Sequence, residues 1–234
     1  MSMLPPSVRN ATQRHNICLI LEGFEEKAYF DKLLEFPIFP KDVYNINLIN
    51  AKSASRIPTF YQAEYSRNSY EVVLAVCDKD RTPEQYNGVV AGIDEILGPG
   101  KAAEVITFSC PCTLQIILLH FGDVRLTTQA KKAARTDVER LTGVSSYDAH
   151  AQQLEEICKK IHCRSYAIMK ERVSKLSTNP EEIPSTNILT LLNRLESRDP
   201  SWINQLNSRL SCGLDRVGYG CFFCDARVIN YVYW

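Results

Sequence analysis

Short apolar runs and amphipathic stretches alternate through the first half of the chain. Residues 16–22, NICLILE, form an apolar run with a polar end, followed by Gly23. In FEEKAYFDKLLEF, the positions of Phe24, Ala28, Tyr29, Phe30, Leu33 and Leu34 suggest a helix packed on a sheet, ended by Pro37 and Pro40. Val43 to Ile49 alternates apolar and polar residues and reads as a second strand. Ile57 to Arg67 reads as a helix entered through Ser53 or Ser55. The continuous apolar run from Val72 to Cys77 predicts a third strand buried on both faces. Pro83 to Leu97 gives another helix, with Pro83 near its first turn and Gly98-Pro99-Gly100 as its stop, and Val105 to Phe108 a fourth strand.

This order predicts an α/β fold in which a parallel four-stranded sheet is covered by helices. In such sheets ligands bind beyond the carboxyl ends of the strands. Glu22, Asp78 with Asp80, and Ser109 all stand at those predicted ends. After residue 113 the pattern turns helical: a short apolar helix from Leu114 to Phe121, helices near 127–142 and 146–176, and candidates at 187–197 and 202–210. The tail CFFCDARVINYVYW is aromatic and β-prone and is expected to add an edge strand. The expected division is an α/β domain over 1–123 and a mainly helical region over 124–234 packed on it.

Composition narrows the setting. The chain is 45% hydrophobic and 23% charged, ordinary for a globular protein. It has no apolar run near the roughly 18 residues of a membrane span and no signal-peptide core, so no membrane partner and a cytoplasmic location are expected. Lys+Arg and Asp+Glu each total 27. A nucleic-acid partner therefore needs a local basic patch, because the whole-molecule field does not attract phosphate. The nine cysteines do not assemble a four-ligand zinc set. Cys18 and Cys77 lie in apolar runs; Cys110-Pro111-Cys112 is too closely spaced; Cys221 and Cys224, with Cys212 nearby, and the Cys158, His162, Cys163 group lack a clean second pair.

The stretch VVLAVCDKDR, residues 72–81, delivers two carboxylates one residue apart to one spot. Asp-Lys-Asp-Arg is often a solvated turn, and Asp78 with Arg81 could form a local salt bridge. Glu22, arriving from a neighbouring strand, shifts the balance, since converging carboxylates raise one another's pKa unless a cation resolves the conflict. Mg2+ or Mn2+ suits one or two carboxylates plus water and phosphate. Glu22, Asp78 and Asp80 are the expected metal ligands and catalytic groups, with Glu22 a ligand or a general acid or base.

The segments ILEGFEEKAYF and, 56 residues after Glu22, VCDKD resemble the TOPRIM domain of topoisomerases, bacterial primases and several nucleases, with Glu-Gly after the first strand and Asp-x-Asp after the third. More narrowly, EGFEEKAYF, AVCDKD, FSCPCTLQIILLHF and IPSTNILTLLNRL resemble the RloB family, TOPRIM-like proteins linked to bacterial restriction and phage-defence loci. The ordered set extends over most of the chain. The resemblance implies a TOPRIM-like sheet, a Mg2+- or Mn2+-dependent phosphodiester hydrolase cutting DNA or RNA, and a role as a defence effector. That family usually carries Asn after the serine and Phe-Glu after the cysteine, where this chain has Cys110, Thr113 and Leu114; the departure implies a shifted or reduced site. Glu26, inside the first matching segment, is assigned a structural or orienting role.

For the substrate, Lys79 and Arg81 flank the carboxylates, and Lys131, Lys132 and Arg135 cluster on a predicted helix, as do Lys159, Lys160 and Arg164. The alternative for the clusters is a solvated helix face. Ser109 could donate to phosphate or cap the helix after it. His120, on an apolar helix, reads as a buried orienting histidine more readily than as a base, and Ser185 and Thr186 as helix caps. A competing function is a non-catalytic module that binds a defence ATPase or nucleic acid, with oligomerisation through the aromatic tail open. A small-substrate phosphotransferase lacks its usual glycine-rich phosphate loop here.

Overall fold

The computed structural model describes residues 14–79, 83–128 and 130–211. Strand β1 (His15–Leu21) leads into α1 (Phe24–Leu33), β2 (Tyr44–Asn50), α2 (Ile57–Arg67), β3 (Val72–Asp78), α3 (Glu84–Leu97), the short α4 (Ala102–Val105) and β4 (Ile106–Cys110). Then follow α5 (Thr113–Leu118), α6 (Lys131–Thr142), α7 (Ala151–Lys159), α8 (Cys163–Val173), β5 (Ser185–Thr186), α9 (Ile188–Glu196) and α10 (Ser201–Ser211).

The fold is mixed α/β, with a five-stranded sheet in the order β2-β1-β3-β4-β5. The first four strands are mutually parallel and β5 is antiparallel to β4. Strand β3 is buried at every position before Asp78, as its unbroken apolar run predicts, because helices cover both faces. Strands β2 and β3 lie on opposite sides of β1, so crossovers of the usual right hand put α1 and α2 on opposite faces. Accordingly α1 packs with α5 and α7, whereas α2 packs with α3. Helix α3 stops at Gly98, whose φ of 105° lies in a region few side-chain-bearing residues adopt.

The sheet has one strand more than the periodicity predicts. Ser185 and Thr186, read from sequence as caps, are the two residues of β5. Thr186 also caps: its Oγ1 accepts the Ile188 amide at 3.1 Å while donating to the Phe108 carbonyl at 2.7 Å. The Asn187 side chain continues the edge, accepting from the Phe108 amide at 2.8 Å and donating to the Ile106 carbonyl at 2.9 Å. An amide side chain thus occupies hydrogen-bonding positions that would otherwise leave the β4 edge open. The aromatic tail expected as an edge strand lies outside the described residues.

The span 146–176 holds two helices, broken at 160–162 where Lys160 caps α7 and His162 accepts the Ser165 amide to start α8. Buried apolar residues from Ile17 to Leu206 form a single cluster to which both sides of position 123 contribute. Among the described residues no helix is long and apolar enough to cross a membrane.

Candidate active site

The β1 and β3 exits meet through a carboxylate. The ladder runs one step past the strand, the Glu22 amide donating to the Val76 carbonyl at 3.0 Å. The Glu22 side chain then reaches across, and its Oε2 accepts the Asp78 backbone amide at 2.9 Å. Acidic groups 56 residues apart in sequence are thereby juxtaposed. Gly23 turns the chain into α1. Its amide donates to Glu26 Oε2 at 2.9 Å, and a Cβ at Gly23 would sit only 3.3 Å from that oxygen, so glycine lets the carboxylate close down. Glu25 and Glu26 occupy the first turn of α1, where the helix dipole favours negative charge.

Asp78 is paired in register with Ser109 on β4. Its Oδ1 accepts two hydrogen bonds from one residue, the Thr113 amide at 2.8 Å and the Thr113 hydroxyl at 2.9 Å. Burial pushes the Asp78 carboxyl well above the usual carboxylate range, and the fields of Glu26, Glu25 and Glu22 push it further; the Thr113 hydroxyl pulls the other way. Burial also raises Glu26, against hydrogen bonds at its own backbone, Thr113 and Gly23. The Cys77 and Cys112 thiols are driven up by burial and the same acids, which keeps them protonated and unreactive.

This donor set suits a hard dication, being all oxygen and mutually repelling. Glu22 and Asp78 are the two expected ligands among the described residues, joined through the Asp78 amide. Among the described residues no three His, Cys, Asp or Glu side chains stand together as a metal-holding group, so the described part supplies two carboxylates rather than a full cage. Asp80 and Arg81, expected as the third ligand and as a phosphate contact, lie outside the described residues.

No protein-family model matches the chain, and no curated protein matches it. Among solved structures it is similar to the C-terminal region of the Burkholderia pseudomallei OLD protein. That similarity has a TM-score of 0.41 and 12% identity, covering 67% of this chain and 94% of the other.

Several residues expected at the substrate are engaged elsewhere. Lys79 is 5% exposed; its Nζ donates to the Pro180 carbonyl at 2.5 Å and to Glu181 at 2.7 Å and lies 5.7 Å from the Tyr86 ring centroid. A buried ammonium needs such partners. Ser109 stands one residue before the end of β4, in register with Asp78. It lies inside β4, is fully buried, and its hydroxyl has no hydrogen-bond partner among the described residues; the N-cap of α5 is Cys112. Arg135 donates to the Tyr147 carbonyl at 2.7 Å and approaches Asp148 at 3.4 Å, tying down a loop. Lys131 and Lys132 open α6, and their side chains lie outside the described set. Lys160 is bound to the Thr142 carbonyl at 2.8 Å.

His120 is buried between α1 and α8. Its Nε2 meets the Tyr29 hydroxyl at 3.0 Å and its Nδ1 the Ser165 hydroxyl at 3.2 Å, and burial brings its pKa down to about 3. A neutral ring with both nitrogens engaged joins helices and does not shuttle protons. Two residues of the acid cluster lacked a sequence assignment. Glu25 sits beside Glu26 in the first turn of a helix starting at a strand exit, which was a usable signal. In the sequence Thr113 stands out only as a departure from a family pattern; nothing local announces that it holds Asp78.

Proposed function

We propose that this chain is a divalent-cation-dependent phosphodiester hydrolase acting on DNA or RNA, built on a TOPRIM-like sheet over residues 1–123 with the 124–234 region packed against it. One observation carries the reading: the Glu22 carboxylate binds the Asp78 amide, holding the acids of two strand exits together although their charges repel. A rim of acids is stabilised when a cation and a phosphate complete it. Glu22 and Asp78, with Asp80, would hold Mg2+ or Mn2+, which when bound would supply charge stabilisation at the phosphoryl oxygens and a more acidic water. Glu22, ordered by the Asp78 amide, is also placed to hold a proton for the leaving or attacking oxygen. The family resemblance at residues 22–30 and 75–80 supports an RloB-like defence effector in the cytoplasm.

The test is cleavage of single- and double-stranded DNA and RNA with Mg2+, Mn2+ or EDTA. Glu22→Gln and Asp78→Asn should each lower the rate by about a thousandfold, roughly 4 kcal/mol of transition-state stabilisation. Wild-type rates in both variants remove these residues from the mechanism.

A second reading has one observation in its favour: Lys79, the cation nearest the acids in sequence, is bound to Glu181 and Pro180. In that reading the chain is a non-catalytic module for a defence ATPase or a nucleic acid. Stable co-purification with an ATPase, with no heat of Mn2+ binding, selects it.

A further inference from the structure

We infer that the Lys79 ammonium is a subsite for one phosphate of a nucleic-acid strand, held in the free protein by a carboxylate of the chain itself, Glu181. The inference rests on the nucleic-acid reading above and does not depend on a metal.

Lys79 is the first residue past β3, and its amide extends the ladder by donating to the Ser109 carbonyl at 2.8 Å. Its backbone is thereby fixed at the carboxyl end of the sheet, where open α/β sheets bind their ligands. The Lys79 side chain is buried, whereas the Glu181 side chain bound to it is 80% exposed. A buried cation whose partner stands in solvent is reached from the solvent side, along the path the carboxylate takes. Glu181 Oε1 meets Nζ at 2.7 Å, a charge-assisted contact of the kind a phosphate oxygen makes with an ammonium. To Lys79 a carboxylate and a phosphodiester look alike, each a monoanion with two exposed oxygens.

The site stays prepared when Glu181 leaves. The Pro180 carbonyl accepts from Nζ at 2.5 Å and the Tyr86 ring centroid lies 5.7 Å away, so the ammonium keeps a neutral acceptor and an aromatic neighbour. The turn that carries Glu181 holds itself without that carboxylate. Asn179 Oδ1 accepts the Glu181 amide at 3.0 Å, Ser177 Oγ accepts the Asn179 amide at 3.0 Å, and the Ser177 carbonyl accepts the Thr186 amide at 2.8 Å. The side chain is therefore free to swing out while the backbone remains. Exchange is favoured because an exposed carboxylate is screened by water and salt, while a strand already bound at other points presents its phosphate at high local concentration.

The experiment is fluorescence anisotropy of labelled oligothymidylate and oligouridylate titrated with the full chain in EDTA over a salt series. The proteins are wild type, Glu181→Gln, Glu182→Gln, Lys79→Met and the Lys79→Met/Glu181→Gln double variant, each checked for folding by circular dichroism. Lys79→Gln serves if methionine does not fold. Glu182 is the control, an exposed neighbour whose carboxylate is bound by the Asn179 side chain at 3.3 Å and whose loss changes net charge equally. Glu181→Gln should tighten binding about two- to fivefold, the scale of an exposed ion pair. It should also steepen the slope of log affinity against log salt by about 0.7, one phosphate contact on a single strand. Glu182→Gln should change both by less, and Lys79→Met should remove the gain. Wild-type affinity and slope in Glu181→Gln, a gain matched by Glu182→Gln, or a gain that survives Lys79→Met overturns the subsite and leaves the nucleic-acid reading standing. Binding of neither strand by any of the proteins overturns both.

Discussion

Two polar clusters in this molecule are built to opposite rules. Around His120 each ring nitrogen has a hydroxyl partner, Tyr29 on one side and Ser165 on the other, and the ring is kept neutral. Around Asp78, Glu22, Glu25 and Glu26 bring like charge together, and their fields drive the Asp78 carboxyl up. The first cluster ties the segment after α5 to α1 and α8. In the second, burial and the neighbouring carboxylates outweigh the Thr113 hydrogen bond and raise the Asp78 carboxyl. A region that repels itself in the folded state is where an external cation has most to contribute, and the contrast separates a structural polar group from a candidate site.

The largest expected effect is on cation-linked stability. At a Mn2+ concentration about 100 times the dissociation constant, wild type should gain about 2.7 kcal/mol in urea unfolding. Asp78→Asn should gain nothing, and His120→Gln should gain as wild type does. Equal gains in all three proteins would erase the distinction between the clusters.

Next comes the pH response, which has opposite signs in the two regions. The folded pKa of His120, about 3, lies below its ordinary 6.5. The unfolded chain therefore takes up a proton that the native state refuses, and stability falls as pH drops from about 6.5 toward 3. Between pH 7 and 5 this costs roughly 2 kcal/mol. For Asp78 the folded pKa is raised, so stability is regained as pH falls through it. Urea unfolding at both pH values should show a steeper acid loss in Asp78→Asn than in wild type and a shallower one in His120→Gln.

A smaller effect sharpens the same contrast. Asp78→Asn conserves an acceptor for both Thr113 donors and removes a carboxyl whose ionisation burial and the neighbouring acids oppose. In metal-free buffer at pH 7 it should raise the unfolding free energy by about 0.5–2 kcal/mol, a gain in stability at the expense of function. A lower stability would show that the charge is compensated inside the chain.

The smallest effect belongs to the Lys79 clip. Glu181 is 80% exposed at its side chain, and the Pro180 carbonyl also accepts from Nζ, so Glu181→Gln should change stability by less than about 0.5 kcal/mol. A larger loss in thermal unfolding would make the exposed carboxylate the main partner of the buried ammonium.

Much of the sheet was legible because its signals are local. The apolar run of β3, the helix at 57–67 and the stop at Gly98 follow from periodicity and turn chemistry. Strand β5 was not legible, since two residues cannot display a period and Asn187 extends the edge with a side chain. The partners of Lys79 were not legible for a related reason. Its proximity in sequence to Asp78 suggested a shared ligand, while its partners come from a segment about 100 residues further on.

The amino-acid sequence by itself determined where the acids fall along the chain, because a strand that ends in a carboxylate shows as an apolar run meeting Asp or Glu. Tertiary structure alone decided which groups those acids face. Glu22 meets the Asp78 amide and Thr113 meets the Asp78 carboxylate only after β1, β3 and β4 are brought into register. The physical reason is range: hydrophobic period and capping act over a few residues, whereas hydrogen bonds and carboxylate repulsion depend on distances that only packing sets.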